Sequence, residues 1–363
     1  MNEKLRFQLL SSPIIGKCLI RRDLDHLLSF KSGRWQQADA LGNEIQRQFE
    51  NFLTKEELNN SALKKKLTID IIQCYYIYGT VPLEYFLFRF RQCNRKRRGE
   101  FLSNRHKDTV MTEKVGRGED FELLENKWKF YQKFSKFFHR DVFLFTSNTD
   151  KQQLSDFVSK HNDFICKPLK GQCGRGIEVL HLSSFDSIDR LFEYLHNANS
   201  DIMIEELIHQ SDSMKYWNES SVNTIRLPMF HNPAGGGYKI LKPCLRMGRK
   251  DAVVDNAASG GIVAVIDEKT GVILTDGCDE LGHFYKEHPD SHHPIKGWQV
   301  PNWKELIDFA TEVHSTIDYY PYIGWDFALT DNGWCLIEGN WGQFLSEFVD
   351  YEGIRKRFDD MFV

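Results

Sequence analysis

The spacing of apolar positions divides the chain into two parts of different character. Up to about residue 110, apolar residues recur at helical spacing, as in residues 38–60 (ADALGNEIQRQFENFLTKEELNN), where Thr54 supplies a helix-start signal. From about Thr112 onward, short runs rich in β-forming residues alternate with turns, and few long helices lie between them. This pattern predicts an α+β fold rather than a doubly wound parallel sheet.

The same change of pattern sets the predicted domain boundary. A chain of 363 residues suits two or three domains. We therefore expect a mainly helical N-terminal region over residues 1–110 and an α+β domain over residues 111–363.

Composition and charge place the chain among ordinary globular proteins. Its net charge of −4 gives no reason to expect a nucleic-acid partner. The eight cysteines contain no C-x-x-C pair, which favours reduced thiols and a cytoplasmic location. We expect no signal peptide, and five interruptions in the most apolar stretch, residues 69–90, argue against a membrane span.

A basic cluster closes the N-terminal region, at residues 89–101 (RFRQCNRKRRGEF). Runs of this kind are usually solvated helix ends. The alternative is a docking face between Arg89 and Arg98 for an anionic glycan, a lipid or an acidic partner.

A glycine-rich segment, residues 165–177 (ICKPLKGQCGRGI), joins two predicted strands. Glycines 171, 174 and 176 allow backbone N–H groups to approach an anion closely and to form a nest around it. Lys167 precedes this loop and could add a point charge to the same phosphates. The alternative is a plain glycine-rich hairpin with a lysine whose stem lies along the sheet, because lone glycine patterns are weak signals.

The sharpest signal is a predicted hairpin in residues 324–340 (GWDFALTDNGWCLIEGN). The turn at residues 331–333, Asp-Asn-Gly, is a strong hairpin former. Centring the hairpin on the middle of this turn places Thr330 opposite Trp334 and Asp326 opposite Glu338.

Three oxygen-bearing side chains would then share one patch, because Glu338 and Asn340 lie on the same face of their strand. Like charges that face each other across two strands are destabilising, and a hard divalent cation removes that penalty. Carboxylate and amide oxygens suit Mg²⁺. The alternative is a pair of surface carboxylates beside an ordinary turn, but apolar neighbours such as Trp325 and Phe327 indicate a half-buried hairpin.

Taken in order, these segments resemble the ATP-grasp superfamily, and specifically its sugar-transfer-associated proteins, also described as hexapeptide-transferase-family proteins. The resemblance covers about Gly116 to the C-terminus. It implies an ATP-grasp fold of two α+β subdomains that grip ATP. The first, about residues 111–203, would carry the glycine-rich loop, and the second, residues 204–363, the metal site.

The resemblance also implies a nucleotide site. Residues 126–134 (NKWKFYQKF) resemble the helix that supplies the first nucleotide lysine, and residues 202–208 (IMIEELI) resemble the adenine hinge. In that hinge Glu205 would lie near the exocyclic amine, and Asp212 has a suitable spacing for the ribose. The implied nucleotide-binding residues are Lys127, Lys167, Gly171, Gly174, Gly176, Glu205, Glu206, Leu207, Ile208 and Asp212.

Two further segments resemble the substrate side of the family, residues 221–227 (SVNTIRL) and the loop that begins at Arg246. The resemblance places Asn223 and Arg226 near the phosphate or the acceptor. The implied catalytic residues are Arg226, Arg246 and Asn256, and the implied metal ligands are Asp326, Glu338 and Asn340. A guanidinium suits a phosphoryl group or a carboxylate, although each arginine could instead form a structural salt bridge.

The function that the resemblance implies is an ATP- and Mg²⁺-dependent carboxylate–amine ligase that acts through an acylphosphate. Its substrates would be a carboxylate and an amine, drawn from a sugar acid, amino sugar or amino acid in bacterial surface-polysaccharide biosynthesis. Two alternatives stay open: a small-molecule kinase of the same fold, and a non-catalytic nucleotide-binding module.

Overall fold

The computed structural model describes residues 36–114, 120–170, 176–198, 200–231, 237–250, 252, 255, 260–317, 322–341 and 347–362. The chain divides into two units. The first contains the described residues up to Lys114 together with those from Asp350 onward, and the second contains the residues between them. The sequence predicts a boundary at residue 110; the division in the structure follows Lys114, and the described residues from Asp350 onward belong to the first unit.

The first unit is helical, as the apolar spacing predicts. The capping box at Thr54 is present, because its side chain accepts from the backbone of Glu57 and the Glu57 side chain accepts in return. Its helices before Lys114 are α1 (Gln36–Phe52), α2 (Lys55–Asn59), α3 (Ser61–Tyr78), α4 (Pro82–Leu87), α5 (Arg95–Arg98) and α6 (Asn104–Lys114), with a short 3₁₀ turn at Phe90–Gln92.

Two arginines of the basic cluster form ion pairs within the first unit. Arg98 holds both oxygens of Asp70, at 2.7 and 2.8 Å, and Asp70 also accepts from the hydroxyl of Tyr85 at 2.6 Å. Arg97 pairs with Glu100. These contacts favour the structural interpretation of the cluster over an anion-docking face, because both guanidinium groups already have carboxylate partners.

The C-terminal segment joins the first unit through contacts that are distant in sequence. The backbone N–H of Arg355 donates to the carbonyl of Glu100 at 3.0 Å. His106 Nε2 lies 2.7 Å from a carboxylate oxygen of Asp359. Gly353 also lies against Glu100, whose carbonyl oxygen is 2.4 Å from the position of a Cβ atom at residue 353.

Glu84 is a buried acid that links two helix starts. Its carboxylate accepts from the backbone N–H of Val81 at 2.9 Å and from that of Asn104 at 2.8 Å. Burial raises the pKa of Glu84 from about 4.5 to about 7, because it outweighs the stabilisation of the charge by those N–H groups.

We expect this acid to make the stability of the protein depend on pH. Between about pH 4.5 and pH 7 the unfolded chain releases a proton that the folded chain retains, so the free energy of unfolding falls as pH rises through this window. Protonated Glu84 contributes about 3 kcal/mol to the free energy of unfolding. This contribution is fully present below about pH 4.5 and is lost above about pH 7. Glu84→Gln should remove it, as measured by urea denaturation at about pH 4 and about pH 8.

Exposed Glu56 provides the matched control, because Glu56→Gln removes the same charge from the first turn of a neighbouring helix. It should leave the pH dependence of the wild type unchanged. An equal pH dependence in the wild type and Glu84→Gln would contradict the assignment.

The second unit contains two sheets. Its helices are α7 (Asp120–Glu125), α8 (Lys127–Phe134), α9 (Lys151–Val158), α10 (Ile188–His196), α11 (Asp212–Lys215) and α12 (Trp303–Ser315), with 3₁₀ turns at Ser135–Phe137 and Leu182–Ser184. Helix α13 (Glu347–Asp350) leads into the C-terminal segment, which holds α14 (Arg355–Asp359) and a 3₁₀ turn at Asp360–Phe362.

The smaller sheet has four strands in the order β1 (Val142–Phe145), β4 (Ile202–Glu206), β2 (Asp163–Pro168) and β3 (Glu178–His181). Strands β2 and β3 flank the glycine-rich segment and pair antiparallel, as the sequence predicts. Leu154 of α9 and Leu191 of α10 are fully buried in the core beneath this sheet.

The larger sheet follows the order β10 (Phe284–Tyr285), β9 (Gly277–Cys278), β8 (Ile262–Val265), β7 (Cys244–Met247), β5 (Thr224–His231), β11 (Tyr322–Thr330) and β12 (Gly333–Asn340), with β6 (Tyr238–Ile240) paired to β5. Every strand pair formed within the described ranges is antiparallel. The α+β prediction is therefore confirmed.

The core of the larger sheet includes the helix that opens with Lys127. Phe130 and Phe134 of α8 pack on Trp325 of β11, with ring centroids 6.3 and 5.4 Å apart. Across the described ranges, no helix combines the length and the hydropathy that a bilayer span requires.

Candidate active site

The hairpin of β11 and β12 places Asp326 opposite Glu338, as predicted. The pairing next to the turn differs from the prediction, because Thr330 pairs with Gly333 and not with Trp334. Ile337 then forms a bulge, so that Phe327 faces Leu336 and the next pair outward is Asp326 with Glu338. The tight turn uses Gly333 at a φ of 101°, which glycine adopts without strain.

Asp326 is buried between two arginines. Arg226 lies directly opposite it on β5 and binds both carboxylate oxygens, with Nη2 2.9 Å from Oδ2. Arg246 of β7 donates to the same Oδ2 from Nη1 at 2.9 Å. Burial alone would raise the pKa of Asp326, but the two guanidinium groups hold it below its usual value.

A second acid completes this buried group. Asp255 lies 3.0 Å from Nη2 of Arg246 and also accepts from the hydroxyl of Thr224. Burial raises the pKa of Asp255, and the charge of Arg246 opposes that shift. Both predicted arginines thus form buried ion pairs and lie beside the acids of the hairpin. Asn256 lies outside the described residues.

The three predicted metal ligands converge on one point. The amide nitrogen of Asn340 lies 3.1 Å from Oε1 of Glu338 and 3.4 Å from Oδ2 of Asp326. With Asp255 included, three carboxylates face the two guanidinium groups of Arg226 and Arg246, which leaves one net negative charge. Carboxylate and amide oxygens are ligand types that suit Mg²⁺, but here both oxygens of Asp326 are bound by guanidinium groups and Asn340 turns its amide nitrogen toward the acids.

The two predicted nucleotide lysines lie at the ends of neighbouring elements. Lys127 is the first residue of α8, and its backbone N–H donates to the carbonyl of Leu169, just beyond β2, at 3.0 Å. Burial lowers the pKa of the Lys127 ammonium, and the carboxylates of Glu338 and Glu205 oppose this shift. Helix α8, which begins at Lys127, thus contacts the end of β2 through its first backbone N–H, and Phe130 of the same helix packs on Trp325 of the hairpin.

Glu205, predicted to lie near the exocyclic amine of adenine, is buried between two cations. Its side chain is 1% exposed, and one carboxylate oxygen lies 2.6 Å from Nζ of Lys167. The other oxygen lies 2.7 Å from Nε of Arg140. Burial would raise the pKa of Glu205, but these two cations hold it below its usual value. Glu205 thus contacts protein cations, and sequence reasoning missed Arg140, because no motif surrounds it.

The hinge after β4 is tied to the residue before β1. The backbone N–H of Glu206 donates to the carbonyl of Asp141 at 2.9 Å, and the Glu206 carboxylate accepts from the Asp141 backbone at 3.0 Å. His161 lies 2.9 Å from the Asp141 carboxylate. These three side chains bring potential metal-ligand atoms within 4.8 Å of one another, but they bind each other and the backbone, so we assign no ion to them.

The remaining predicted residues vary in their surroundings. Leu207 and Ile208 follow β4 and are half-buried. The side chain of Asp212, the predicted ribose ligand, is 96% exposed and pairs with Lys215 at 3.1 Å. Gly176 has a φ of 73° and packs against Pro168, whereas Gly171 and Gly174 lie outside the described residues.

Asn223, predicted to lie near the phosphate or the acceptor, is at the centre of a buried hydrogen-bond network. It is fully buried, and its amide donates to the side chain of Gln210 at 3.0 Å and to the carbonyl of Met214 at 2.9 Å. Its side-chain oxygen accepts from the backbone of Gly248 at 3.1 Å. These contacts hold together the segments that flank β5 and β7.

Gly339 lies between two predicted metal ligands. A Cβ atom at this position would lie 2.8 Å from the ring of Trp325 and 3.0 Å from the ring of Phe130. Phe130 belongs to the helix that begins at Lys127. At Gly339 the strand that carries Glu338 and Asn340 therefore packs directly against a ring of the helix of the first lysine.

Comparison with known proteins identifies the family. The family described as sugar-transfer associated ATP-grasp matches residues 107–361. No curated protein matches the chain.

Solved structures that match include the D-alanine-D-alanine ligase from Helicobacter pylori, with 15% identity, a TM-score of 0.40, and coverage of 66% of this chain and 60% of that one. A second is N5-carboxyaminoimidazole synthetase from Staphylococcus aureus complexed with ADP, with 10% identity, a TM-score of 0.39, and coverage of 63% and 47%. A third is the ATP-grasp ligase PsnB complexed with a precursor variant, Mg and ADP, with 11% identity, a TM-score of 0.38, and coverage of 67% and 59%.

The chain thus spans about half to three fifths of the length of these solved proteins. The family match itself extends over more than half of this chain, from the end of the helical region almost to the last residue. The protein therefore belongs to the sugar-transfer-associated ATP-grasp family.

Proposed function

We propose that the protein is an ATP-dependent carboxylate–amine ligase that acts through an acylphosphate. Its substrate would be a sugar acid, amino sugar or amino acid in bacterial surface-polysaccharide biosynthesis, and its location the cytoplasm. The observation that carries the proposal is the position of the helix that begins at Lys127. Its first backbone N–H donates to Leu169, just beyond the strand of Lys167, and its Phe130 packs on the hairpin of Asp326 and Glu338, so a polyphosphate held by the two lysines would lie near the proposed metal ligands.

In this proposal Lys127 and Lys167 hold the phosphates of ATP. The hinge, through the backbone of Glu206 and Ile208, would hold the adenine. Asp326, Glu338 and Asn340 would hold Mg²⁺, which when bound neutralises charge on phosphate oxygens.

The arginines are suited to the transferred group or the substrate carboxylate. Arg226 Nη1 and Arg246 Nε are buried nitrogens for which the described part of the chain supplies no hydrogen-bond acceptor. Each guanidinium is otherwise held by Asp326, which fixes its orientation. A phosphoryl or carboxylate oxygen could accept from these remaining donors.

The proposed reaction has two steps. A substrate carboxylate oxygen attacks the γ-phosphorus of ATP, the bond to the β–γ bridging oxygen breaks, and ADP leaves. An amine nitrogen then attacks the acyl carbon, loses a proton, and phosphate departs. Positioning and charge neutralisation would supply most of the rate.

The test is turnover of Mg²⁺-ATP with pooled sugar acids and amino acids in the presence of hydroxylamine. We expect a hydroxamate, because hydroxylamine intercepts an acylphosphate. A stable phosphate ester with no hydroxamate would overturn the ligase and identify a kinase. Tight ATP binding with no product from any pool would instead favour a binding module.

A further inference from the structure

Arg140 joins the two sheets of the second unit. It lies two residues before β1, and its side chain is 3% exposed. Its Nε and Nη2 both lie 2.7 Å from Oε2 of Glu205 on β4. Its Nη1 donates to the carbonyl of Phe138 at 2.9 Å and to that of Leu336 at 2.8 Å. Leu336 lies on β12, two residues before Glu338, so one guanidinium contacts both the strand of the hinge and the strand of the metal hairpin.

Glu205 connects this guanidinium to a nucleotide lysine. Its other oxygen, Oε1, lies 2.6 Å from Nζ of Lys167, and its side chain is 1% exposed. Three charges of alternating sign therefore lie in sequence away from water, from Arg140 through Glu205 to Lys167. In such a group, removing one partner leaves a buried charge uncompensated, and the remaining partner binds it more tightly.

We infer that Arg140 is a positioning residue for ATP: it shares the charge of Glu205 and so leaves Lys167 able to bind the polyphosphate. The inference rests on the proposed function, which assigns Lys167 to the phosphates. Without Arg140, the full negative charge of Glu205 falls on Lys167, and ATP must compete with a buried carboxylate for the ammonium. Arg140 also bonds to the carbonyl of Leu336, so its removal breaks a link between strand β12 and strand β4, which ends in the hinge.

The planar shape of guanidinium makes the residue specific. Arg140 serves one carboxylate and two carbonyl groups at once, whereas a lysine presents a single point of charge. We therefore expect Arg140→Lys to fold but to lose affinity for ATP, and Arg140→Gln to lose more. We expect the affinity for ATP to fall about 10- to 100-fold, because the uncompensated charge of Glu205 then holds the ammonium of Lys167.

The test measures nucleotide binding by competition against a fluorescent ATP analogue, with thermal unfolding as a check of folding. ATP and ADP should bind more weakly to Arg140→Gln, whereas adenosine, which has no phosphates, should bind as it does to the wild type. Equal weakening of adenosine would indicate general damage and overturn the inference. Adding Glu205→Gln to Arg140→Gln should restore part of the ATP affinity, because the buried negative charge that holds Lys167 is gone.

Two controls separate this inference from the proposed function. Arg190→Gln removes an exposed arginine that pairs with Glu193, and it should change nothing. Lys167→Ala should weaken ATP binding; if it does not, the nucleotide assignment itself fails and the inference falls with it. If Lys167→Ala weakens binding but the folded Arg140→Lys and Arg140→Gln variants bind ATP like the wild type, only the inference fails.

Discussion

Glu338→Gln is expected to lower hydroxamate formation on the order of 100-fold or more while leaving the fold intact, because Glu338 would hold the cation that neutralises phosphate charge. The side chain is half-buried, and glutamine keeps an oxygen that can accept from Asn340. Removing the charge also removes a repulsion with Asp326 across the strand pair. The measurement is the initial rate of hydroxamate formation beside a thermal melt.

Asp331→Asn is the matched control, since Asp331 lies in the exposed turn of the same hairpin and loses the same charge. It should retain wild-type activity. A Glu338→Gln variant that turns over at the wild-type rate would refute the metal assignment. A variant that loses its activity together with its cooperative melt would show that Glu338 serves the fold.

Asp326→Asn should lower the stability of the protein as well as its turnover. Arg226 and Arg246 are both buried, and both donate to the carboxylate of Asp326. An asparagine leaves the two guanidinium groups with Asp255 and Glu338 but without the carboxylate that binds them both, and breaking a buried ion pair costs about 3–5 kcal/mol. Urea denaturation at neutral pH should show this loss in the free energy of unfolding.

The comparison between the two acids sharpens this prediction. Both lie in one hairpin, face each other and are proposed metal ligands, yet we expect a large loss of stability only from the change at Asp326, whose carboxylate also holds two buried guanidinium groups. A loss below about 1 kcal/mol in Asp326→Asn would mean that the arginines find other partners, because the removed pair would then be worth no more than a surface ion pair.

The hairpin shows how far the sequence alone could predict the site. Alternation of side chains and the turn at residues 331–333 predicted that Asp326 and Glu338 oppose each other, and they do. The predicted register was wrong by one residue near the turn, where Thr330 pairs with Gly333 and not with Trp334. The bulge at Ile337 shifts the register by one residue, so the pair of Asp326 and Glu338 was still predicted correctly. A bulge of this kind has no sequence signal, since Ile337 is an ordinary apolar residue in a β-rich run.

Contacts between distant segments could not be predicted in the same way. Arg140 and Glu205 are separated by 65 positions, and neither lies in a pattern that names the other. His106 and Asp359, which help to join the C-terminal segment to the first unit, are separated by 253. Local periodicity carries information about which face a residue occupies, but the partner on that face is decided by the packing of whole elements.

Gly339 limits how the site could change over evolutionary time. A ligand residue can be exchanged for another of similar chemistry, but a side chain at position 339 needs space that the rings of Trp325 and Phe130 already fill. A relative with alanine at this position would need a smaller residue in place of one of those rings. Positions 339, 130 and 325 should therefore covary among relatives. The distance between the helix of Lys127 and the metal hairpin then depends on these three residues jointly and not on any one of them.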